Sequence, residues 1–164
     1  MNTIDNISCQ VKNHRAIIIE GPDGAGKTTM ARNLAERTGR QVFRFHSRPN
    51  NFEDDCERVD DCIKKLNQNE PLIWDRVPII SAAIYGPLMW SGKEPLTVEE
   101  SHWILKQLDL LVIYMRPDID ELFKRHEPSE GDDREYLAWL EVNLADIIVK
   151  YDTYFRYLEV LRWD

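Results

Sequence analysis

The sequence predicts an α/β fold in three layers, a parallel five-stranded sheet with helices on both faces. Two observations carry that expectation. Short β-branched or aromatic runs alternate with stretches of helical periodicity, and strands separated by helices pair in parallel. The glycine-rich and charged motifs also fall just after strand-like runs, where an open parallel sheet keeps its ligand site.

The elements follow in order. Ala16–Glu20, "AIIIE", is the first strand, and Gly26–Thr38 a helix stopped by Gly39, a residue suited to the left-handed turn after a helix. "QVFRFH" (Gln41–His46) is the next strand, from its aromatic and β-branched content. Phe52, Cys56, Val59, Ile63 and Leu66 recur at helical spacing and predict an amphipathic helix. "PLIWD" (Pro71–Asp75) is a buried strand, followed by a helical or looped segment around "VPIISAAIYGPLMW". Thr97 and Glu100 form a capping-box signature that opens a helix to about Leu108. "DLLVIYM" (Asp109–Met115) is the most strongly β-like run, and Asp118 caps a short helix with Glu121 three residues on. Leu137, Leu140, Leu144, Ile147, Ile148, Tyr151 and Phe155 mark one long helix before a last strand in "YLEVLRW".

Bulk properties exclude several classes. The 164 residues suit one domain, 1–164, large enough to bury roughly two thirds of its unfolded surface. Hydrophobic content of 43% with 30% charged residues is globular and argues against disorder. No apolar run approaches the ~20 residues of a membrane span, and "MNTIDNISCQVKNHR" lacks a signal peptide's apolar core. A cytoplasmic protein with no membrane partner is expected. Its net charge of −8 disfavours nucleic acid, which needs a basic face, and suits one small phosphorylated ligand gripped by a few convergent cations. Cys9, Cys56 and Cys62 show no zinc-like clustering, and the four scattered histidines call for no special chemistry. Trp74, Trp90, Trp103 and Trp139 are expected in the core or on an oligomer surface, which leaves a homodimer open.

Gly21-Pro-Asp-Gly-Ala-Gly26-Lys27-Thr28 fits G-x-x-x-x-G-K-[ST] without departure. Such a loop folds so that backbone N–H groups, from Gly21, Asp23, Gly24, Ala25 and Gly26 through Lys27, Thr28 and Thr29, face phosphate oxygens at a helix N-terminus. Lys27 is expected to bridge the β- and γ-phosphates of a nucleoside triphosphate and the Thr28 hydroxyl to ligate Mg²⁺. "LIWDR" then sets Asp75 and Arg76 at the end of the third strand, toward the same crevice. A carboxylate there suits the metal or the donor side, and a guanidinium offers a bidentate fork for a second phosphate or a carboxylate.

With "EGPDGAGKTT", "DR" after an apolar strand, and Ser81 and Tyr85 in "SAAIYG", the chain resembles the thymidylate kinase family from about Ile17 to Phe155. The resemblance implies the three-layer P-loop NTPase fold, with ATP as donor. It implies that Asp23 faces the acceptor's sugar, that Arg76 grips the acceptor's phosphate, and that Ser81 and Tyr85 line its pocket. Phe45 leads "FHSRP", where the family often has "FTREP", and would lie against the sugar or base; Arg48 there replaces an acidic residue. Phe52 would stack on the base, and Arg58, off the family's register, is the candidate arginine for its edge. "LFKRHEPSEGDDREYL" would be a small lid, about 125–134, carrying Arg125 and Arg134. Some members carry an arginine within the phosphate loop; Gly24 stands in that neighbourhood, so the lid supplies the charge. The family's "DRY" reads "DRV", and Ser81 and Tyr85 lie one residue farther from Arg76 than usual. The family continues beyond Asp164 into an adenine-contacting loop, so weak selection of the donor base is expected.

The implied activity moves the γ-phosphoryl of ATP to a pyrimidine deoxynucleoside monophosphate, dTMP or a 5-modified dUMP. Two alternatives stay open: a deoxynucleoside kinase, with a carboxylate base such as Glu20 or Asp75, and a non-catalytic ATP-binding module.

Overall fold

The run "AIIIE" is apolar on both sides of its pleat, as a central parallel strand covered on two faces must be. All of β1 (Ala16–Glu20) is buried. The computed structural model describes residues 4–45, 48–125 and 133–163. Among these, β1 is joined by β2 (Val42–Phe43), β3 (Ile73–Asp75), β4 (Leu110–Met115) and β5 (Leu161–Trp163). They form one parallel sheet in the order β2-β3-β1-β4-β5. Ile19 lies opposite Asp75 in the β1–β3 ladder, so the loops leaving those two strands emerge side by side.

Helices α1 (Ile4–Val11), α2 (Lys27–Thr38), α3 (Phe52–Asn67), α4 (Pro78–Met89), α5 (Val98–Lys106), α6 (Ile119–Arg125) and α7 (Arg134–Tyr154) connect or flank the strands. α1 packs on α2, whereas α4 packs on α3, α5 and α7. Right-handed crossovers put these two groups on opposite faces, giving the three-layer α/β fold.

Local signals explain most boundaries. The N–H of Gly39 donates to the Ala35 carbonyl and closes α2. Thr97 and Glu100 make both bonds of the capping box at α5, and the Asp118 carboxylate accepts from the Asp120 N–H at the start of α6. Asp133 caps α7 through the Tyr136 N–H.

Several expectations are corrected. "VPIISAAIYGPLMW" is helical: Pro78 starts α4, where a missing N–H costs nothing, and Ile79, Ile80, Ala82, Ala83, Ile84 and Tyr85 are all buried. β2 stops at Phe43, because Phe43 and Phe45 turn together onto Trp74, with ring centroids 4.8 and 6.5 Å from it. The expected strand end, His46, lies outside the described residues. The inner face of α3 is Asp55, Val59, Cys62 and Leu66, rotated from the expected stripe so that a carboxylate replaces Cys56. α7 ends at Tyr154, one residue short of Phe155, and β5 begins only at Leu161 after a 3₁₀ turn at Phe155–Tyr157. Of the expected lid only Arg125, Asp133 and Arg134 are described; its other residues lie outside. Among the described residues no helix is long and apolar enough to cross a membrane.

Candidate active site

The loop between β1 and α2 reverses direction through three residues of positive φ, Gly21 (150°), Gly24 (78°) and Gly26 (87°). Gly21 is the tightest: a Cβ there would sit 2.4 Å from the Met115 carbonyl oxygen at the end of β4. The loop is stapled from within, since Lys27 Nζ donates to the carbonyls of Gly21 (2.9 Å) and Pro22 (2.6 Å). Burial, reinforced by the neighbouring Arg76 cation, lowers the Lys27 pKa to about 7. Thr28, in the first turn of α2, donates its hydroxyl to Asp75 Oδ2 at 2.7 Å. A hydroxyl and a carboxylate thus meet at the mouth of the loop, both hard oxygen donors of the kind Mg²⁺ prefers. Among the described residues no group of three or more His, Cys, Asp or Glu side chains could hold a metal.

Beside the loop, the chain leaving β3 adopts an unusual conformation. Arg76 has φ 70°, left-handed for a bulky residue, and its N–H donates to the Ile19 carbonyl at 3.0 Å. That backbone costs about 1–3 kcal/mol and persists where its surroundings over-determine it. Glu20 supplies the surroundings. Its fully buried carboxylate accepts from the Val77 N–H (2.7 Å), the Gly21 N–H (3.3 Å) and the Tyr151 hydroxyl (3.0 Å). One side chain therefore ties the turn after β1 to the turn after β3 and to α7. Burial pushes its pKa up, with Arg76 opposing. Glu20 does not line the cleft, which removes it as the base of a nucleoside kinase.

Arg76 Nη2 donates to the Gly21 carbonyl and to Asp23 Oδ1, each at 3.1 Å, and lies 3.4 Å from the Tyr85 hydroxyl. Burial is the largest single influence and opposes its charge, but Asp23 together with Tyr85, Tyr151 and Glu20 overcomes it and holds the pKa well above the ordinary arginine value. Arg76 Nε and Ser81 Oγ are buried with no hydrogen-bond partner, and both residues line the cleft. A buried donor left unmet costs about 1–3 kcal/mol, so two on one wall mark the place of a polar ligand.

The cleft has a volume of about 670 Å³. Of the expected residues it brings together Asp23, Gly24, Gly26, Lys27, Thr28 and Thr29 with Phe45, Arg48, Asp75, Arg76, Ser81 and Tyr85, and also Arg58. Gly21 and Ala25 lie behind it in the loop. Arg125 reaches the loop from α6: its Nη1 donates to the Gly24 carbonyl at 2.8 Å, and it also pairs with Glu121. Arg125 thus contacts the phosphate loop at Gly24. Two expected residues are not brought in. Phe52 lies beneath the Lys93 ammonium, 5.6 Å from its ring centroid, and Arg134 is exposed at the start of α7. Tyr136, two residues on and about 200° round the helix, takes the inward position instead.

Arg44, Asp55 and Tyr136 line the cleft without having been expected there. Tyr136 donates its hydroxyl to Asp23 Oδ2 at 2.7 Å, and the Arg48 guanidinium lies 3.4 Å from its ring centroid. Arg44 lies 3.8 Å from Asp75. Its signal was available, an arginine at the C-terminal end of a strand in a parallel sheet. Tyr136 carried none, because a tyrosine in an amphipathic helix reads as core.

A phosphate loop on β1, a hydroxyl–carboxylate pair at its mouth and a sheet in the order 2-3-1-4-5 define the class of P-loop nucleoside triphosphatases. Comparison with known proteins agrees. The model of the ATPase family associated with various cellular activities (AAA) matches residues 17–139, and the chain belongs to that family. No curated protein matches the sequence. Among solved structures, it is similar to the YorR protein of Bacillus subtilis in complex with phosphorylated GDP. That match has a TM-score of 0.65 at 22% identity and covers 91% of this chain and 85% of that one. It is also similar to deoxyadenosine kinase from M. mycoides with bound dATP (TM-score 0.58, 18% identity, 92% and 91% covered). Thymidylate kinase from Candida albicans is a third (TM-score 0.56, 16% identity, 93% and 84% covered). At these identities the likeness establishes a shared fold.

Proposed function

We propose that the protein is a nucleotide kinase that moves the γ-phosphoryl of ATP to a pyrimidine deoxynucleoside monophosphate, with dTMP or a 5-modified dUMP as the first acceptor to test. The observation that carries this reading is Arg76: half-buried, backbone-strained, with a buried and unpartnered Nε, and set beside the phosphate loop by the β1–β3 register. One phosphate-binding group serves a nucleotide switch. A second cation held at this cost beside the first serves a second phosphate. The resemblance to thymidylate kinases supplies the acceptor class.

In this reading the loop amides and Lys27 hold the donor's β- and γ-phosphates, and Arg76 holds the acceptor's phosphate in line with the γ-phosphorus. An acceptor phosphate oxygen bonds to that phosphorus as the bond to the β–γ bridging oxygen breaks, and ADP leaves. Thr28 and Asp75 suit Mg²⁺, which takes few protein oxygens and completes its shell with phosphate and water. An ion held there would neutralise charge on the transferring phosphates. Asp23 is the internal counter-anion of Arg76 and yields that place to the acceptor.

A coupled ADP-release assay over the common nucleoside monophosphates tests the reading; no turnover with any of them rules it out. In the same assay Arg76→Ala is expected to raise the acceptor KM by roughly ten- to a hundredfold, the value of a charged hydrogen bond, with the ATP KM changed less. An unchanged acceptor KM contradicts the role given to Arg76.

The Lys27 pKa gives a pH prediction. Above about pH 7 the ligand-free lysine is largely neutral, whereas triphosphate oxygens favour its charged form. ATP binding near pH 8 is therefore expected to take up close to one proton per site, an uptake that fades about two units lower. Calorimetry in buffers of different ionisation enthalpy measures it. Proton release, or none exchanged near pH 8, contradicts the assignment.

A further inference from the structure

The first turn of α3 places a carboxylate where the helix's inner stripe calls for an apolar residue. Asp55 precedes Val59, Cys62 and Leu66 on that face and is 6% exposed. It also lines the cleft, whose other charged side chains include Lys27, Arg44, Arg48, Arg58 and Arg76. A buried carboxylate is costly unless it is hydrogen-bonded, and it repels phosphate. It can serve the neutral base of a nucleotide by accepting a hydrogen bond from it.

Its geometry is fixed from one side. Trp90, at the end of α4, donates Nε1–H to Asp55 Oδ2 at 2.8 Å. No donor among the described residues reaches Oδ1. Arg58, three residues on and therefore on the same helix face, also lines the cleft, and its guanidinium is 5.7 Å from the Phe45 ring centroid. Phe45 provides a flat apolar wall beside them. Phe45 follows the edge strand β2, which β3 separates from β1 and its phosphate loop. Burial raises the Asp55 pKa, while the Trp90 bond and the Arg58 charge favour its ionised form.

We infer that Asp55 selects the acceptor's base: its unpaired oxygen accepts the single ring N–H of a thymine- or uracil-type imide lying against Phe45, and Arg58 donates to an adjacent carbonyl. This rests on the nucleotide-kinase reading and adds the residue that chooses among bases. The choice follows from the one available oxygen. Guanine offers two parallel N–H groups and matches a carboxylate with both oxygens open, one of which Trp90 occupies. Cytosine and adenine place a ring-nitrogen lone pair where the imide carries its proton, against the carboxylate. Trp90 is thus a positioning residue for base choice.

The decisive probe leaves the protein unaltered. dTMP and N3-methyl-dTMP differ only in the proton that Asp55 accepts, and the wild-type protein is expected to use the methylated form roughly a hundredfold less well in kcat/KM. Asp55→Asn keeps an amide oxygen on Trp90 and turns an NH₂ donor toward the base, so the dTMP-to-dCMP ratio should fall by about tenfold or more. Trp90→Phe releases Oδ2 and should raise dGMP use relative to dTMP. Equal use of dTMP and its methylated form overturns the inference, as does an order of acceptors unchanged in Asp55→Asn, while leaving the kinase reading standing. Absence of turnover with every monophosphate overturns both. Should Asp55→Asn fail to fold, the methylated substrate still decides.

Discussion

Lys27→Ala is expected to lower turnover by about 10³-fold, the usual effect of removing a preorganised donor from the reacting charge, while the fold survives. The buried ammonium is the one cation within the turn of the phosphate loop and donates only to that loop's own carbonyls. In the proposed reaction its loss removes charge where the transferred phosphoryl would gather it. The sign of the stability change follows from the pKa. A lysine lowered from 10.5 to about 7 on folding penalises the native state fully below about pH 7, and the penalty fades as pH rises toward 10.5. Deleting it near pH 6 should therefore leave Tm within a few degrees of wild type or raise it, since a buried charge has been removed. Turnover close to wild type, or a collapse of Tm, contradicts this account.

Gly21→Ala is expected to do the reverse, destabilising the whole fold. Its φ of 150° is foreign to residues with a side chain, and the added Cβ would meet backbone, the Met115 carbonyl oxygen at 2.4 Å, which cannot swing aside. Strain and overpacking together predict a loss of roughly 3 kcal/mol or more, a fall in Tm of roughly 10 °C for a chain of this size. Gly39→Ala is the control. It also has positive φ, 71°, but its Cβ would meet nothing within 4 Å, so only the conformational cost of about 1–2 kcal/mol applies. Equal losses for the two would show that the approach of β4 to the loop is not what confines Gly21.

The parts of this fold visible in the sequence are those whose signal is local. A β-branched run entering a glycine loop, a Thr–Glu capping box and a long apolar stripe each announce their element without knowledge of its neighbours. What escaped depended on packing. α4 is buried all round, so it lacks the polar face that separates helix from loop in a sequence. α1 passed unread although Ile7 and Val11 are four apart and both buried, because eight residues among polar neighbours make a faint stripe. β2 is cut short by aromatic packing on Trp74, a residue some thirty positions away.

The site divides in the same way. The phosphate loop and Arg76 follow strands and were legible as motifs. Asp55 escapes an apolar-stripe reading, which takes Cys56 in its place; in the structure the buried face runs through Asp55 and Cys62, and the Trp90 bond satisfies the carboxylate there. Helix phase puts Tyr136 in the cleft and leaves Arg134, expected there, exposed at the start of α7.

The central claim is that this chain carries a site for two phosphate groups, one on β1 and one on β3, between which a phosphoryl passes. Incubation with γ-labelled ATP, Mg²⁺ and either dTMP or thymidine tests it directly. The account predicts label in the diphosphate of the acceptor with dTMP and none with thymidine. Label appearing only as inorganic phosphate, at a rate indifferent to dTMP, would contradict it.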